Sequence, residues 1–471
     1  MKKLLLLLLI LAVPYHLFAQ WEHEIRLTYD TSISEISFSS QFGIAADGDL
    51  VHLTWWDYRF GNPEIFYKHS TDNGKTWGDD IRLTNDPAVS NWSSIAAAGS
   101  AVHIVWVDYR DENSEIYYKR SADGGSTWGN DTRLTYTFGI TEYSYPAVAV
   151  SGSFVHVVWE DYRDWNLEIY YKRSLDGGVS WEDDIRLTYN EEFSEYPAVF
   201  ANGSFVHVIW HDYRDGNPEI YYKQSQNNGN NWGSDKRLTI DPATSYTGSI
   251  AAFDSLVHLV WCDSRVGSWE VYYKRSSDHG MTWGPDTRLS EEWNESMFPS
   301  LAINGSLVHV AWYDFRDGNH EIYYKRSNDS GLTWEEDLQL TSNSAESRSA
   351  SVAASDSTVH VVWQDNRPGN WEIYYIQNPT GNIIVGETEK ELQDYVIYPN
   401  PAGDWFEITG IRYAAELSVC DLYGREIKIF RDISSFPDYI DIADLTDGIY
   451  ILRIVGEDGV VFSQKFIKFR P

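Results

Sequence analysis

The sequence predicts an all-β protein, a seven-bladed β-propeller with its N-terminal strand closing the last blade, followed by a small C-terminal β-sandwich. Three observations predict it. A Val-His-x-x-Trp pattern recurs at His52, His103, His156, His207, His258, His309 and His360, with successive spacings of 51, 53, 51, 51, 51 and 51 residues. Each copy reads as four short strands separated by Gly, Asn and Asp, and a blade needs four strands in a period of about fifty residues. The array is also incomplete at its two ends in complementary ways. It begins with Glu24-Ile25-Arg26-Leu27-Thr28, a fourth strand without its blade, and ends near Gln377 after a first, second and third strand without their fourth.

Ahead of the array, residues 1–19 have the build of a secretory signal. Lys2 and Lys3 form the positive end, an apolar run reaches Val13, and Leu17-Phe18-Ala19 precedes Gln20. The apolar run is too short for a permanent anchor, and no later stretch is apolar enough to cross a membrane, so the mature chain is expected to be exported without a transmembrane segment. The 471 residues carry 37 Lys plus Arg against 70 Asp plus Glu, a formal charge of -33 that repels nucleic acid. Aromatics make up 15% of the chain, which argues against disorder. Cys262 and Cys420 are the only cysteines, so neither a disulfide framework nor a thiolate metal cluster is expected.

The array should occupy residues 20–377. In its third copy the strands, named A to D in order, are expected at 145–150, 154–159, 168–173 and 184–188, with Val, Ile, Tyr and Trp filling them. Pairing the first strand of the array with the last leaves no open sheet edge between the chain ends.

The C-to-D turns share a second pattern. Ser70-Thr71-Asp72-Asn73-Gly74-Lys75-Thr76-Trp77 returns around Asp123, Asp278 and Asp329, and around Asp176 with Ser for Thr, while the turn at Asn227 is degenerate. The Asp accepts backbone N–H bonds, the Gly takes a positive φ, and the Trp covers the blade end. These residues resemble the Asp box of the sialidase and BNR-repeat superfamily. The resemblance implies a fold rather than an activity, because the box is structural and recurs in enzymes and non-enzymes.

After a linker at 378–393, residues 394–471 change pattern. Tyr398-Pro399-Asn400-Pro401-Ala402 opens a run of alternating strands, with Asp421-Leu422-Tyr423-Gly424-Arg425 and Asp447-Gly448-Ile449-Tyr450 further on. The module resembles the type A sorting domain of the type IX secretion route of certain Gram-negative bacteria. That resemblance implies passage through a translocon, removal of the domain by a sortase, and release or attachment at the cell surface.

Chemistry is expected on the face built by the B-to-C and D-to-A loops. Every B-to-C segment holds Asp, an Arg two residues on, and a Glu at the start of the next strand. The arginines are Arg59, Arg110, Arg163, Arg214, Arg265, Arg316 and Arg367. They have two readings, an Asp-Arg-Glu brace inside every blade or a ring that binds anionic sugars. The residue before the Glu varies from blade to blade. At that place Trp269 and Trp371, with Trp92 and Trp293 in D-to-A loops, can stack on pyranose rings or simply cover neighbouring loops. The D-to-A stretches are unequal, since Thr28 to His52 spans 24 residues against 19 in most blades and Thr135 to His156 spans 21. Glu35, Glu142, Tyr143, Glu195 and Tyr196 lie there and are the candidates for acid, base or nucleophile work, against a plain solvated loop face.

Sialidases use three convergent arginines, a Tyr nucleophile assisted by a Glu, and an Asp acid/base. This sequence has no Phe/Tyr-Arg-Ile-Pro motif, repeats its ring arginines identically, and counts seven blades where the usual sialidase ring has six, so no catalytic residue carries over. The seven histidines sit mid-strand among apolar residues and read as satisfied core groups rather than a metal ring. The acid excess would admit calcium, but no EF-hand-type loop supports it, and no cofactor is implied. Three functions stay open: a secreted or surface propeller binding an extracellular glycan or glycoprotein, an exo-acting sialidase-like glycoside hydrolase or a lyase, and a protein-binding scaffold or adhesin.

Overall fold

The computed structural model describes residues 21–36, 43–136, 144–291, 294–381, 396–398, 400, 402–409, 416–420, 426–431, 440–455 and 461–469. The leader at 1–19 and most of the linker lie outside them. The chain divides into one unit over Met1–Ile383 and a second over Ile384–Pro471. All regular elements among the described residues are strands.

Among the described residues the first unit holds seven antiparallel sheets. In the third, the A, B, C and D strands are Ala147–Ser151, Phe154–Asp161, Glu168–Ser174 and Ile185–Arg186. The D ladder is shorter than its pattern suggested because side chains take over from backbone. Leu187 N still donates to Ile169 O at 2.7 Å, but it is the Thr188 hydroxyl that accepts the Ile169 N–H, at 2.8 Å. B strands are buried on both faces, which explains their unbroken apolar runs. Trp159 is fully buried and donates Nε1–H to Asp161 at 3.1 Å.

The seventh sheet draws on both chain ends. Ser347–Ser355, Thr358–Asp365 and Glu372–Asn378 are followed in space by Ile25–Arg26, with Ile25 opposite Tyr375 and Arg26 opposite Tyr374. The A strands lie side by side in chain order, and that of the seventh sheet lies against Ile44–Asp47 of the first. The first sheet carries an extra short strand, Ser34–Glu35, on its B strand.

Contacts between sheets repeat. Tyr67 takes a T-shaped contact from Trp128 of the following sheet at 4.8 Å. A Cβ on Gly125 would stand 1.7 Å from the Tyr67 hydroxyl, so this turn position, at φ +86°, is closed to any side chain. Trp77, four residues before the D strand of the first sheet, covers Tyr375 in the same way at 5.0 Å. Trp21 stands four residues before Ile25 and covers Tyr324 at 4.9 Å, so the N-terminal segment supplies the seventh sheet with its Trp as well as its strand. Lys68 Nζ reaches back to Leu27 O at 2.7 Å, and the pattern recurs at Lys119, Lys172, Lys223, Lys274 and Lys325.

Each repeated histidine is buried, with Nδ1 on the hydroxyl of a tyrosine fifteen residues on, as in His156 with Tyr171 at 2.7 Å. Burial pushes the imidazole of His156 down to about 3 and that of His52 to about 4, so both are neutral.

Among the described residues the second unit has two sheets, one of Val396–Tyr398, Trp405–Thr409 and Ile440–Asp441, and one of Glu426–Arg431, Glu416–Cys420, Gly448–Val455 and Val461–Lys468. Phe406, Leu417, Val419, Ile440, Leu452 and Phe466 belong to its core.

Candidate functional site

The ring arginines are held in ion pairs. Arg59 Nη2 lies 2.6 Å from Asp57 and Nη1 2.7 Å from Asp80, and its guanidinium stacks 4.3 Å from the centre of the Phe66 ring. Lys68 takes the other oxygen of Asp80 at 2.9 Å. Arg110, Arg163, Arg214, Arg265 and Arg316 repeat the arrangement with Asp131, Asp184, Asp235, Asp286 and Asp337, and Arg367 repeats it with Glu24 of the N-terminal strand. The anticipated Asp-Arg-Glu brace is in fact two braces. Glu64 pairs at 2.6 Å with Arg82, because Glu64 and Phe66 share one face of the C strand and Arg82 lies directly opposite Phe66. Asp72 in its turn accepts the Thr76 N–H at 2.8 Å and the Thr76 hydroxyl at 2.6 Å, and Asp123, Asp278 and Asp329 do the same, as does Asp176 with Ser180.

Against this uniform background, two adjoining positions differ from sheet to sheet. One is the residue between Trp and Asp at the end of each B strand: Trp56, Val107, Glu160, His211, Cys262, Tyr313 and Gln364. The other is its cross-strand neighbour, Glu35, Asn91, Glu195, Tyr246, Met297 or Arg348. The framework around them varies little. Ser194 at the head of the A strand donates to Asp212 at 3.0 Å, Trp210 donates to the same oxygen at 2.8 Å, and the serine bond recurs in five other sheets, while in the third Ser144 donates to Glu160 O at 2.9 Å. A β-bulge follows directly, with Trp92, Tyr196, Phe298 and Ser349 at φ of 54°, 51°, 52° and 55°. A bulge re-aims the side chain it carries.

The result is an arc of ring contacts across five sheets. Trp56 meets Trp92 at 5.6 Å, Trp92 meets Tyr145 at 5.0 Å, and Tyr145 stacks on Tyr196 at 4.7 Å. Tyr196 then meets His211 at 4.8 Å, His211 stacks on Tyr246 at 4.4 Å, and Tyr246 reaches Trp269 at 6.4 Å.

The polar groups of the arc centre on the fourth sheet. His211 Nε2 lies 3.1 Å from Glu195 Oε2, and the imidazole is fully buried, which lowers its pKa. With the carboxylate accepting from Nε2–H, Nδ1 keeps its lone pair, and Nδ1 has no hydrogen-bond partner. Glu160 is buried too, accepting the Tyr196 N–H at 2.9 Å, and burial pushes its carboxyl well above the usual range. Tyr213 is pushed up to about 12, first by burial and then by Glu195, and stays a donor. Glu35, half-buried opposite Trp56, is pushed up to about 7 by burial.

Trp269 also lines a cavity of about 560 Å³ with Ser264, Gly267, Ser268, Asn294, Glu295, Phe315 and His320. His320 hydrogen-bonds Glu346, which also holds Arg348 at 3.1 Å, and Arg348 lies 5.8 Å over Trp371. Glu142, Tyr143 and Trp293 lie outside the described residues. Among the described residues no group of three His, Cys, Asp or Glu side chains is placed to hold a metal ion.

Of the candidates read from sequence, Glu195, Tyr196, Trp92 and Trp269 come together in the arc. Glu35 borders it at Trp56, and Trp371 stands apart with Arg348. Sequence reasoning missed Tyr145, Glu160, His211 and Tyr246. The signal was present, since the residue between Trp and Asp is different in all seven repeats.

Residues 396–468 match the family of secretion system C-terminal sorting domains. The chain is therefore sent by the type IX route to the cell surface or outside, and among the described residues no helix is long and apolar enough to cross a membrane. No curated protein matches the sequence. Among solved structures, the chain is similar to a polysaccharide lyase, an ulvan lyase bound to -[GlcA(1-4)Rha3S]-, with TM-score 0.51 and 11% identity over 75% of this chain and 95% of that one. It is similar to the polysaccharide lyase Uly1 with TM-score 0.52 and 10% identity over 76% and 98%. The Trypanosoma rangeli sialidase follows with TM-score 0.42 and 14% identity over 64% and 56%. At these identities the first two likenesses establish a shared propeller fold.

Proposed function

We propose that the chain is a closed, seven-bladed Asp-box propeller, exported and displayed or released, that binds an extracellular glycan on the face carrying the arc from Trp92 to Trp269. One observation carries the reading: aromatic rings and unlike polar groups gather where the seven repeats disagree, while every other repeated position serves the framework. Aromatic faces beside a few convergent polar groups are the chemistry of a sugar site. Two solved structures sharing the fold are polysaccharide lyases, one of them bound to a saccharide, which agrees with this reading.

A second reading, cleavage of the bound glycan, is favoured by the His211 pair. A neutral imidazole oriented by Glu195, with a buried Nδ1 that has no hydrogen-bond partner, becomes a general base once a ligand or a side-chain movement reaches that nitrogen, and burial of the Glu160 carboxyl nearby favours its acid form. The whole chain should be incubated with a glycan array, and both retained protein and glycan masses read. Retention that falls about tenfold or more in Tyr196→Ala and Trp269→Ala supports the site. Retention unchanged in both variants would remove it. Altered glycan masses that vanish in His211→Ala would add catalysis, and unaltered masses would leave a lectin.

A further inference from the structure

We infer that the glycan taken by this face is uncharged, a neutral polysaccharide rather than a uronic, sulfated or sialic one; the inference rests on the glycan-binding reading above. An anionic sugar leaves water only for a site that replaces its solvation with cations or several donors. Among the described residues, this face has no arginine to spare. All seven ring arginines hold carboxylates, as Arg214 does with Asp212 at 2.5 Å and Asp235 at 2.9 Å. The D-strand arginines are spent likewise, with Arg82, Arg133, Arg186, Arg237 and Arg288 on the glutamates that open the C strands, and Arg26 on Glu372. Arg348, partly exposed, is paired with Glu346. The C-strand lysines Lys68, Lys119, Lys223, Lys274 and Lys325 each hold an Asp carboxylate and the preceding sheet's backbone, and Lys172 holds Leu134 O at 2.9 Å.

What the arc offers a ligand has the opposite sign. Glu195 stands beside it, and Glu295 lines the neighbouring cavity with Trp269. Carboxylates accept hydrogen bonds and donate none, so they select a ligand rich in O–H donors. The rings select one with apolar C–H faces. A neutral pyranose chain has both properties, and a carboxylated or sulfated one would bring its charge against carboxylates in a molecule of formal charge -33.

The test is calorimetric titration of the whole chain with neutral oligosaccharides (xylo-, cello-, laminari- and manno-oligosaccharides) and with oligogalacturonate, chondroitin sulfate oligosaccharides and sialyllactose, each at low and high salt. A neutral member should bind with a Kd almost independent of salt and weaken in Trp269→Ala. The anionic members should bind about tenfold or more weaker and gain affinity as salt screens the repulsion. Tighter binding of an anionic sugar, weakening with salt, would overturn the inference while leaving the glycan site standing. No binding by any member of either class would overturn the glycan reading itself.

Discussion

Replacing Leu27 with Ala tests whether the N-terminal segment completes the seventh sheet as strongly as an internal strand completes its own. Leu27 is 3% exposed and packs with Ile44, Leu53 and Trp55 of the first sheet and with Ile373 and Tyr375 of the seventh. Its N–H donates to Ile373 O at 2.8 Å, and its carbonyl accepts from Lys68 at 2.7 Å. The internal counterpart is Leu187, 1% exposed, whose N–H donates to Ile169 O at 2.7 Å. Leu→Ala at a fully buried site costs about 2–5 kcal/mol, as lost transfer energy plus a residual cavity. Both variants should fall in that range and within about 1 kcal/mol of each other, because the two leucines fill the same niche. Urea unfolding of the whole chain, followed by tryptophan fluorescence, gives the two differences. A cost below about 0.5 kcal/mol for Leu27→Ala beside a full cost for Leu187→Ala would mean that the ring does not depend on its N-terminal strand, and closure would have to be abandoned.

Glu35 gives a pH signature. Its carboxyl rises from 4.5 to about 7 on folding, so the folded state binds the extra proton and stability falls as pH climbs from about 4.5 to about 7, by up to about 3 kcal/mol, levelling above that. Glu35→Gln should flatten this part of the stability-against-pH curve, and an unchanged slope would place the titration elsewhere. Gly125→Ala should destabilise by several kcal/mol more than Gly61→Ala in thermal melts. Both glycines have positive φ, but a Cβ at Gly125 would overlap Tyr67 at 1.7 Å whereas one at Gly61 meets nothing within 4 Å. Equal melting temperatures would contradict the inter-sheet packing.

Much of the architecture was legible because a repeat displays each physical requirement seven times. Val-His-x-x-Trp exposes the B strand, the turn Asp exposes the C-to-D clip, and the unmatched fourth strand at 24–28 exposes its pairing with the far end of the array. The same uniformity concealed the candidate site. The ring arginines drew attention by recurring, and recurrence marked the framework. The informative residues, Glu160 and His211, lie inside a motif whose other members never change, so their variation passed for filler. The partition of charges was not readable either. Asp57, Arg59 and Glu64 are close in sequence, yet Arg59 pairs with Asp57 and Asp80 while Glu64 pairs with Arg82, which the D strand places directly opposite Phe66.

The sequence by itself determined the strand pattern, the number of repeats, the complementary chain ends and the sorting module, because these follow from local periodicity and from motifs read within a few dozen residues. Only the tertiary structure decided which side chains became partners. Tyr145, Tyr196, His211 and Tyr246 come from three successive repeats and meet because the A strands of neighbouring sheets lie side by side. Contact between sheets is a matter of distance in space, and no spacing along one strand encodes it.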